Sequence, residues 1–394
     1  MLAFIIMGFI VGFEHSLLVD LYEIVKAPSV LITDYFVVGG LGAAMVNAGL
    51  VGLIGILLTK VSKVKVKGPI IAAIFTMAGF SFLGKNIINI WPVFLGVYLY
   101  SLTQKEGLNN YILNALFGTA LAPLVSSISI TSDLGVTGGI IGGVIAGFIV
   151  PPLAGHLLAT HQGLNLYNIG FTAGFIGTLF TGIFRGIGNA KELVTYWGEG
   201  YNDIVFPFLM VYLGSMIILG LFLTRGKLKN YIEIHELSGA LVTDTVTHKG
   251  LGSSLINMGV VGFLGMSYVL LIGGELNGGA LTGIFTIVGF GAFGKHIKNM
   301  LPLMLGAYLS LYLFQWNPTE PGPVLGVLFA TTLAPISGTL GPLLGMLAGF
   351  LHMSMVMNTG YLHGGLNLYN NGFAGGIVAT MMIGVIKNYQ NDFE

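Results

Sequence analysis

The chain has 394 residues, 54% of them hydrophobic and 8% charged, with a formal net charge of zero. Soluble domains carry roughly a quarter charged residues, so a water-exposed globular surface is excluded. No cysteine is present, which excludes a disulfide framework, an iron–sulfur site and thiol chemistry, and zero net charge without a charged tail leaves no footprint for nucleic acid. The apolar runs are long and apolar on all sides, unlike the roughly ten-residue alternating segments of an outer-membrane barrel, so the fold class is an all-α polytopic membrane protein.

Fourteen hydrophobic segments follow one another. The first seven lie at 1–13, 40–59, 68–84, 89–104, 109–130, 134–158 and 165–187. The next seven lie at 203–224, 250–272, 278–294, 299–315, 323–340, 341–361 and 366–387. Segment 1–13 lacks the basic n-region and small-residue cleavage site of a signal peptide and reads as a shortened membrane helix. Its partner is longer, and the expectation is that roughly one or two helical turns precede it in the native protein. The third, fourth and fifth segments of each set fall short of the ~20 residues of a full crossing. Short, Gly/Pro-interrupted segments at matching positions predict broken or re-entrant helices.

The matching is a duplication. A shift of 210 aligns residues 31–100 with 241–310 without a gap, with 26 of 70 positions identical. Thr33-Asp34 meets Thr243-Asp244, Asn47 meets Asn257, Gly84-Lys85 meets Gly294-Lys295 and Pro92 meets Pro302. A shift of 212 aligns Leu116–Pro123 with Leu328–Pro335. The chain therefore divides into a first membrane repeat at 1–187, an extracytoplasmic linker at 188–202 and a second repeat at 203–394. Repeats of this length are a transporter pattern rather than a solenoid one.

Charge shows that the repeats are inverted. The loop after the second segment holds Lys60, Lys63, Lys65 and Lys67, whereas its counterpart at 271–277 has Glu275 and no base. The loop after the first segment is mostly acidic (Glu14, Asp20, Glu23, with Lys26), whereas its counterpart carries Arg225, Lys227, Lys229 and Lys249. The positive-inside rule then sets equivalent loops on opposite faces, with both termini cytoplasmic in the cell membrane and the linker outside. Arg185 runs mildly against this pattern.

The densest polar block is His161-Gln-Gly-Leu-Asn-Leu-Tyr-Asn168, which recurs as His363-Gly-Gly-Leu-Asn-Leu-Tyr-Asn370; from His161 to Gly174 ten of fourteen positions repeat. Asn165 and Asn168, and Asn367 and Asn370, share one face of any helix that forms, and their amides both donate and accept. Two inverted copies would meet near the membrane midplane as facing half-helix ends. The expectation is that Asn168, Asn370, Tyr167 and Tyr369 contact a solute, with Asn165, Asn367, His161 and His363 nearby. The structural alternative is helix capping and interhelical hydrogen bonding by the same amides.

Gly163-Leu-Asn-Leu-Tyr-Asn168-Ile-Gly-Phe-Thr-Ala-Gly174 resembles the Gly-Leu-x-Gly-Tyr/Phe-Asn-x-x-Leu-x-Gly block that occurs twice in urea transporters, with Leu166 and Leu368 where that family has glycine. Leu-Ala-Pro123 and Leu-Ala-Pro335 are similar to that family's Asn-Pro or Ser-Pro segment, a helix earlier. The resemblance implies two inverted halves around a narrow pore for urea or another small amide, and a trimer as the homo-oligomer. The chain also resembles an uncharacterised bacterial family of integral-membrane proteins.

Lys85 and Lys295 each stand in Gly-Lys-x-Ile-x-Asn between two short segments. A snorkelling lysine at a helix end is the expected reading; attraction of an anion to both mouths of a pore is the other. Asp34 and Asp244 read as N-caps, and Glu23 and Glu233 as residues of interfacial amphipathic stretches. His161 and His363 could relay protons. His156 and His352 could extend them to a metal site, but no carboxylate or cysteine cluster accompanies them, so no metal and no cofactor are expected. No nucleophile elbow, zinc-protease motif or phosphate loop is present, so catalysis is not expected. The function read from the sequence is transport of a small polar solute at the interface of two inverted repeats. An ion-coupled carrier of a small anion and an intramembrane enzyme or lipid-handling protein are the alternatives.

Overall fold

The structure is a computed structural model that describes residues 1–13, 16–188, 194–241 and 243–391. Glu14 and linker residues 189–193 lie outside them. The principal helices of the first half are α1 (Leu2–Val11), α2 (Gly40–Val61), α3 (Gly68–Gly79), α4 (Trp91–Thr103), α5 (Ile112–Thr131), α6 (Gly135–His161) and α7 (Asn168–Gly186). Those of the second half are α8 (Asn202–Leu223), α9 (Leu251–Leu271), α10 (Gly278–Gly291), α11 (Ile297–Phe314), α12 (Pro321–Leu340), α13 (Pro342–Leu362) and α14 (Asn370–Asn391). Among the described residues nine helices are long and apolar enough to cross a membrane, while α1, α3, α4, α10 and α14 are shorter apolar helices. The fold is thus all-helical and polytopic; the third segment of each half and the fourth of the first are short as expected, whereas the fifth of each half and the fourth of the second reach membrane length. A 3₁₀ turn interrupts both α5, at Thr119–Leu121, and α12, at Thr331–Leu333, just ahead of Pro123 and Pro335.

At the centre α3 and α10 lie side by side and antiparallel. The N-terminal Gly68 of α3 faces the Ala292 carbonyl beyond the end of α10, while Gly79 at the other end faces Thr282. The Thr282 hydroxyl donates across to the Gly79 carbonyl at 2.8 Å. This antiparallel pairing of equivalent helices is the inversion that the lysines indicated. Every residue of α10 is buried. The duplicated aspartates cap as expected and also join the halves. Asp34 accepts from Phe36 N–H at 2.8 Å and from Gly198 N–H at 3.0 Å; Asp244 accepts from Thr247 N–H at 3.1 Å and from Gly68 N–H at 3.0 Å.

The break after each central helix explains Gly-Lys-x-Ile-x-Asn. A helix ending inside the protein leaves carbonyls without intrahelical donors. The amide of Asn47 on α2 donates to Ser81 and Lys85 carbonyls at 2.7 and 2.8 Å, and that of Asn257 on α9 donates to Gly291 and Lys295 carbonyls, both at 2.7 Å. The asparagine that closes the motif then starts the next helix. Asn299 accepts from His296 N–H at 3.0 Å, completing a capping box, and its amide reaches back to the Gly294 carbonyl at 2.9 Å. Asn89 does the same with Asn86 N–H and the Gly84 carbonyl, at 2.9 and 3.0 Å. Outside this centre, α4 packs on α6 and α11 on α13, with Gly147 against the Val93 carbonyl and Gly349 against that of Leu303, the close backbone approach that small residues allow in membrane bundles. Glu23 and Glu233 sit on short helices, Leu17–Lys26 and Lys229–Ile234, and form surface ion pairs with Lys26 at 3.7 Å and Lys249 at 2.7 Å. The Lys249 ammonium holds the Glu233 carboxyl below its ordinary range.

Candidate functional site

The two copies of the polar block meet where α7 and α14 begin. Both helices start on the residue after the duplicated tyrosine, and they cross at Gly170 and Gly372. A Cβ on Gly170 would lie 2.8 Å from the Tyr369 Cβ, and one on Gly372 2.8 Å from the Tyr167 Cβ. Each helix start therefore rests on the other copy's tyrosine, and only glycine permits it. The asparagines at the crossing are reciprocal: Asn165 donates to the Gly372 carbonyl at 3.1 Å, and Asn367 to the Gly170 carbonyl at 3.2 Å. Leu166 N–H donates to the Thr332 carbonyl and Leu368 N–H to the Ala120 carbonyl, at 2.9 and 3.0 Å. The 3₁₀ turns of α5 and α12 thus hold the opposite copy of the block.

The remaining asparagines and the histidines form two clamps. The Oδ1 of Asn168 meets His161 Nε2 at 2.9 Å, and its amide donates to the Ala154 carbonyl at 3.0 Å. In the second copy Asn370 meets His363 at 2.8 Å, accepts from Thr359 at 2.7 Å and donates to the Val356 carbonyl at 3.1 Å. These contacts tie the end of α6 to the start of α7, and the end of α13 to the start of α14. Asn168 and Asn370 are therefore already bonded at both ends of the amide, and His161, Asn165, His363 and Asn367 are fully buried. His352 is bonded to Asn371 at 3.0 Å, while His156 is exposed. No group of three potential metal-ligating side chains occurs among the described residues.

The lysines depart from expectation. A snorkelling lysine extends its ammonium to the interface, but Lys85 and Lys295 have no exposed surface at all. The breaks turn both chains inward, so that Lys85 donates to the Tyr369 hydroxyl and Lys295 to the Tyr167 hydroxyl, each across the two repeats. Lys295 also donates to Thr331 at 2.7 Å. Each ammonium lies 4.5 Å from the ring centre of its tyrosine. The duplicated Tyr and Lys, from separate motifs and 284 and 128 positions apart, are thus one unit, and Thr331 with its counterpart Thr119 borders it. The lysine–tyrosine pairing has no signal in sequence spacing. The matched retention of Asn47 with Asn257 and of Thr119 with Thr331 was visible in the repeat, but no rule of spacing assigned them a partner.

A cavity of about 920 Å³ reaches this centre from one side. Its mouth carries Lys67, Gln162, Asp244, Thr247 and His248; its inner end is formed by Phe80, Tyr167, Asn168, Gly170, Phe290, Phe329, Tyr369, Asn371 and Gly372. The flank belongs to α5 and α6, where Asn114, Pro151 and Gly155 border the space. The equivalent space in the second half is filled. Met353 and Met357, which stand where α6 has Pro151 and Gly155, lie against Gly326 and Gly322 of α12, with Met357 Sδ 2.9 Å from the position of a Gly322 Cβ. Linker residues Tyr196–Gly198 cover the rest. Tyr196 pairs with Thr33, Trp197 lies on Gly279, and the Gly198 carbonyl accepts from Asn277 at 2.8 Å.

An all-helical chain with nine helices able to cross a membrane among its described residues, antiparallel broken helices and a polar centre defines a polytopic membrane protein with a buried polar site. The model of one family, described as protein of unknown function (DUF1576), matches residues 5–186 and 223–388, and the chain belongs to that family. The two matched stretches correspond to the two repeats and leave out the linker and most of α8. No curated protein and no solved structure matches the chain, so the likeness to urea transporters rests on the motif alone.

Proposed function

We propose that the chain is a membrane transporter that moves a small polar solute by alternating access through the point where α7 and α14 cross. The observation that carries this reading is the one-sided cavity. It runs from a polar mouth to Tyr167 and Tyr369 and stops there, with the matching vestibule filled by Met353, Met357 and Trp197. A continuously open channel would have two mouths. A carrier caught facing one side has one, and inverted repeats provide the second by exchanging the conformations of the halves. By the positive-inside rule the mouth beside Lys67 and Lys249 faces the cytoplasm of a cell membrane, as do both termini.

In this reading Tyr167 and Tyr369 touch the solute, as do the first-turn N–H groups of α7, which have no intrahelical acceptors. The clamps His161–Asn168 and His363–Asn370 position the two helix starts, and Asn165 and Asn367 lock the crossing. Urea or another small amide is what the motif resemblance implies. The test is counterflow in proteoliposomes with a panel of small amides, amino acids and carboxylates. Protein-dependent uptake of at least one solute is expected, and Tyr167→Phe is expected to lower it about tenfold, the scale of one lost hydrogen bond in a closed site. Uptake equal to that of protein-free vesicles across the panel would sink the reading.

A further inference from the structure

Two lysines are buried at the centre of this protein with no anionic side chain paired to either among the described residues. The ion pairs among the described residues are Glu23–Lys26 and the contacts of Glu233 with Lys229 and Lys249, all at the surface. None involves Lys85 or Lys295. An ammonium removed from water costs several kcal/mol unless a negative group or a full set of acceptors compensates it. Asp244, the carboxylate on the cavity wall, stands at the mouth and is committed to capping, accepting from Gly68 N–H and from Thr247.

The hydrogen-bond inventory around each lysine is rich in donors. An ammonium offers three protons and a phenol one. Lys295 places two of its protons on Tyr167 and Thr331, and the Thr331 hydroxyl sends its own proton to the Leu328 carbonyl at 2.6 Å. Lys85 places one on Tyr369, and Thr119 sends its proton to the Leu116 carbonyl at 2.6 Å. Each tyrosine oxygen is thus an acceptor for lysine, and its own O–H can turn either to the bordering threonine, Thr331 beside Tyr167 and Thr119 beside Tyr369, or to a group in the cavity. Both tyrosines line the cavity. The first turn of α7 faces the same space through Asn168, Ile169 and Gly170, adding backbone donors and the positive end of a helix.

The size and remaining lining of the cavity bear on the rest of the ligand. About 920 Å³ lies near the top of the ~300–1,000 Å³ range for sites that enclose drug-sized molecules. Phe80, Phe117, Phe290, Phe293 and Phe329 line the cavity. Such a wall suits an apolar body attached to a polar head.

We propose, resting on the transport reading above, that the central site binds an organic anion. Its carboxylate-like head is held by the Tyr167 and Tyr369 hydroxyls and the start of α7, backed by Lys295 and Lys85, and its apolar body lies against Phe80, Phe290 and Phe329. The lysines act through the tyrosines: protonated with the anion in place, they supply counter-charge and occupy each phenol oxygen, so that the phenol donates to the head.

The test uses the full chain in detergent or nanodiscs and matched probes: benzoate, phenylacetate and hexanoate against benzamide, phenylacetamide and hexanamide, followed by calorimetry. At least one carboxylate is expected to bind at least about tenfold more tightly than its amide, the scale of a charge-assisted hydrogen bond. Lys295→Met is expected to erase that preference without weakening the amide. Should Lys295→Met fail to fold, Tyr167→Phe, which retains ring and lysine, is expected to reduce the preference. Equal binding of amide and carboxylate, or no carboxylate binding up to about 10 mM, overturns the proposal. Counterflow separates it from the transport reading. Carboxylate binding without counterflow sinks transport and leaves the anion site standing, whereas counterflow of amides without carboxylates sinks the anion site and leaves transport standing.

Discussion

The two halves share a scaffold and differ in one space. In the first half α5 and α6 flank an open vestibule, where Asn114, Pro151 and Gly155 leave room and a Cβ on Gly155 would meet nothing within 4 Å. In the second half α12 and α13 are the counterparts of α5 and α6, but Met353 and Met357 lie on Gly326 and Gly322. Methionine is unbranched and adaptable, suited to filling irregular space, and these two side chains pack the closed side. The linker sharpens the contrast because the chain has only one. Tyr196–Gly198 seals the side near Asp34 and Asn277, and the mouth near Asp244 and Lys67 has no equivalent segment over it among the described residues. A duplicated framework supplies two equivalent vestibules, and unduplicated residues fill one of them in this conformation.

This comparison can be broken at its strongest point by Met353→Ala. Met353 is fully buried, and its truncation is expected to cost about 2–5 kcal/mol, read as a fall in the thermal midpoint. The equivalent change, Pro151→Ala, removes a helix-breaking residue beside an open cavity and is expected to leave the midpoint unchanged or raised. Equal losses at both positions would mean that the vestibules are equally packed.

Accessibility gives a second contrast. With no natural cysteine, Gly155→Cys and Met357→Cys can each be labelled without background. A water-soluble maleimide is expected to modify Gly155→Cys from the lysine-rich face at least about tenfold faster than Met357→Cys from either face, the ratio set by local opening of the packed side. Similar rates would sink the one-sided cavity. Saturation with a transported solute should narrow the ratio if the halves exchange conformations.

The smallest expected difference lies at the crossing. Asn165 accepts from the Thr332 hydroxyl at 2.6 Å, whereas Asn367 faces Ala120, which has none. Asn165→Ala is expected to destabilise by about 1 kcal/mol more than Asn367→Ala, since it strands a buried hydroxyl. Denaturation of the two variants under one condition checks it.

Much of this molecule was legible in one dimension. Low charge and long apolar runs determined the membrane class, because lipid accepts little else. The self-alignment determined the repeats, the lysine-rich loops determined their inversion, and the short segments around Gly84 and Gly294 marked the broken helices. Thr-Asp ahead of an apolar run identified Asp34 and Asp244 as caps, since capping is a local interaction. What the polar groups do was decided by tertiary structure. Asn168 and Asn370 are turned onto His161 and His363 rather than left free, because two helix ends in an apolar interior need every available hydrogen-bonding group. Lys85 and Lys295, which read as snorkelling residues at helix ends, are drawn inward onto Tyr369 and Tyr167. That pairing joins residues 284 and 128 positions apart, and no local pattern encodes which distant group will satisfy a buried donor.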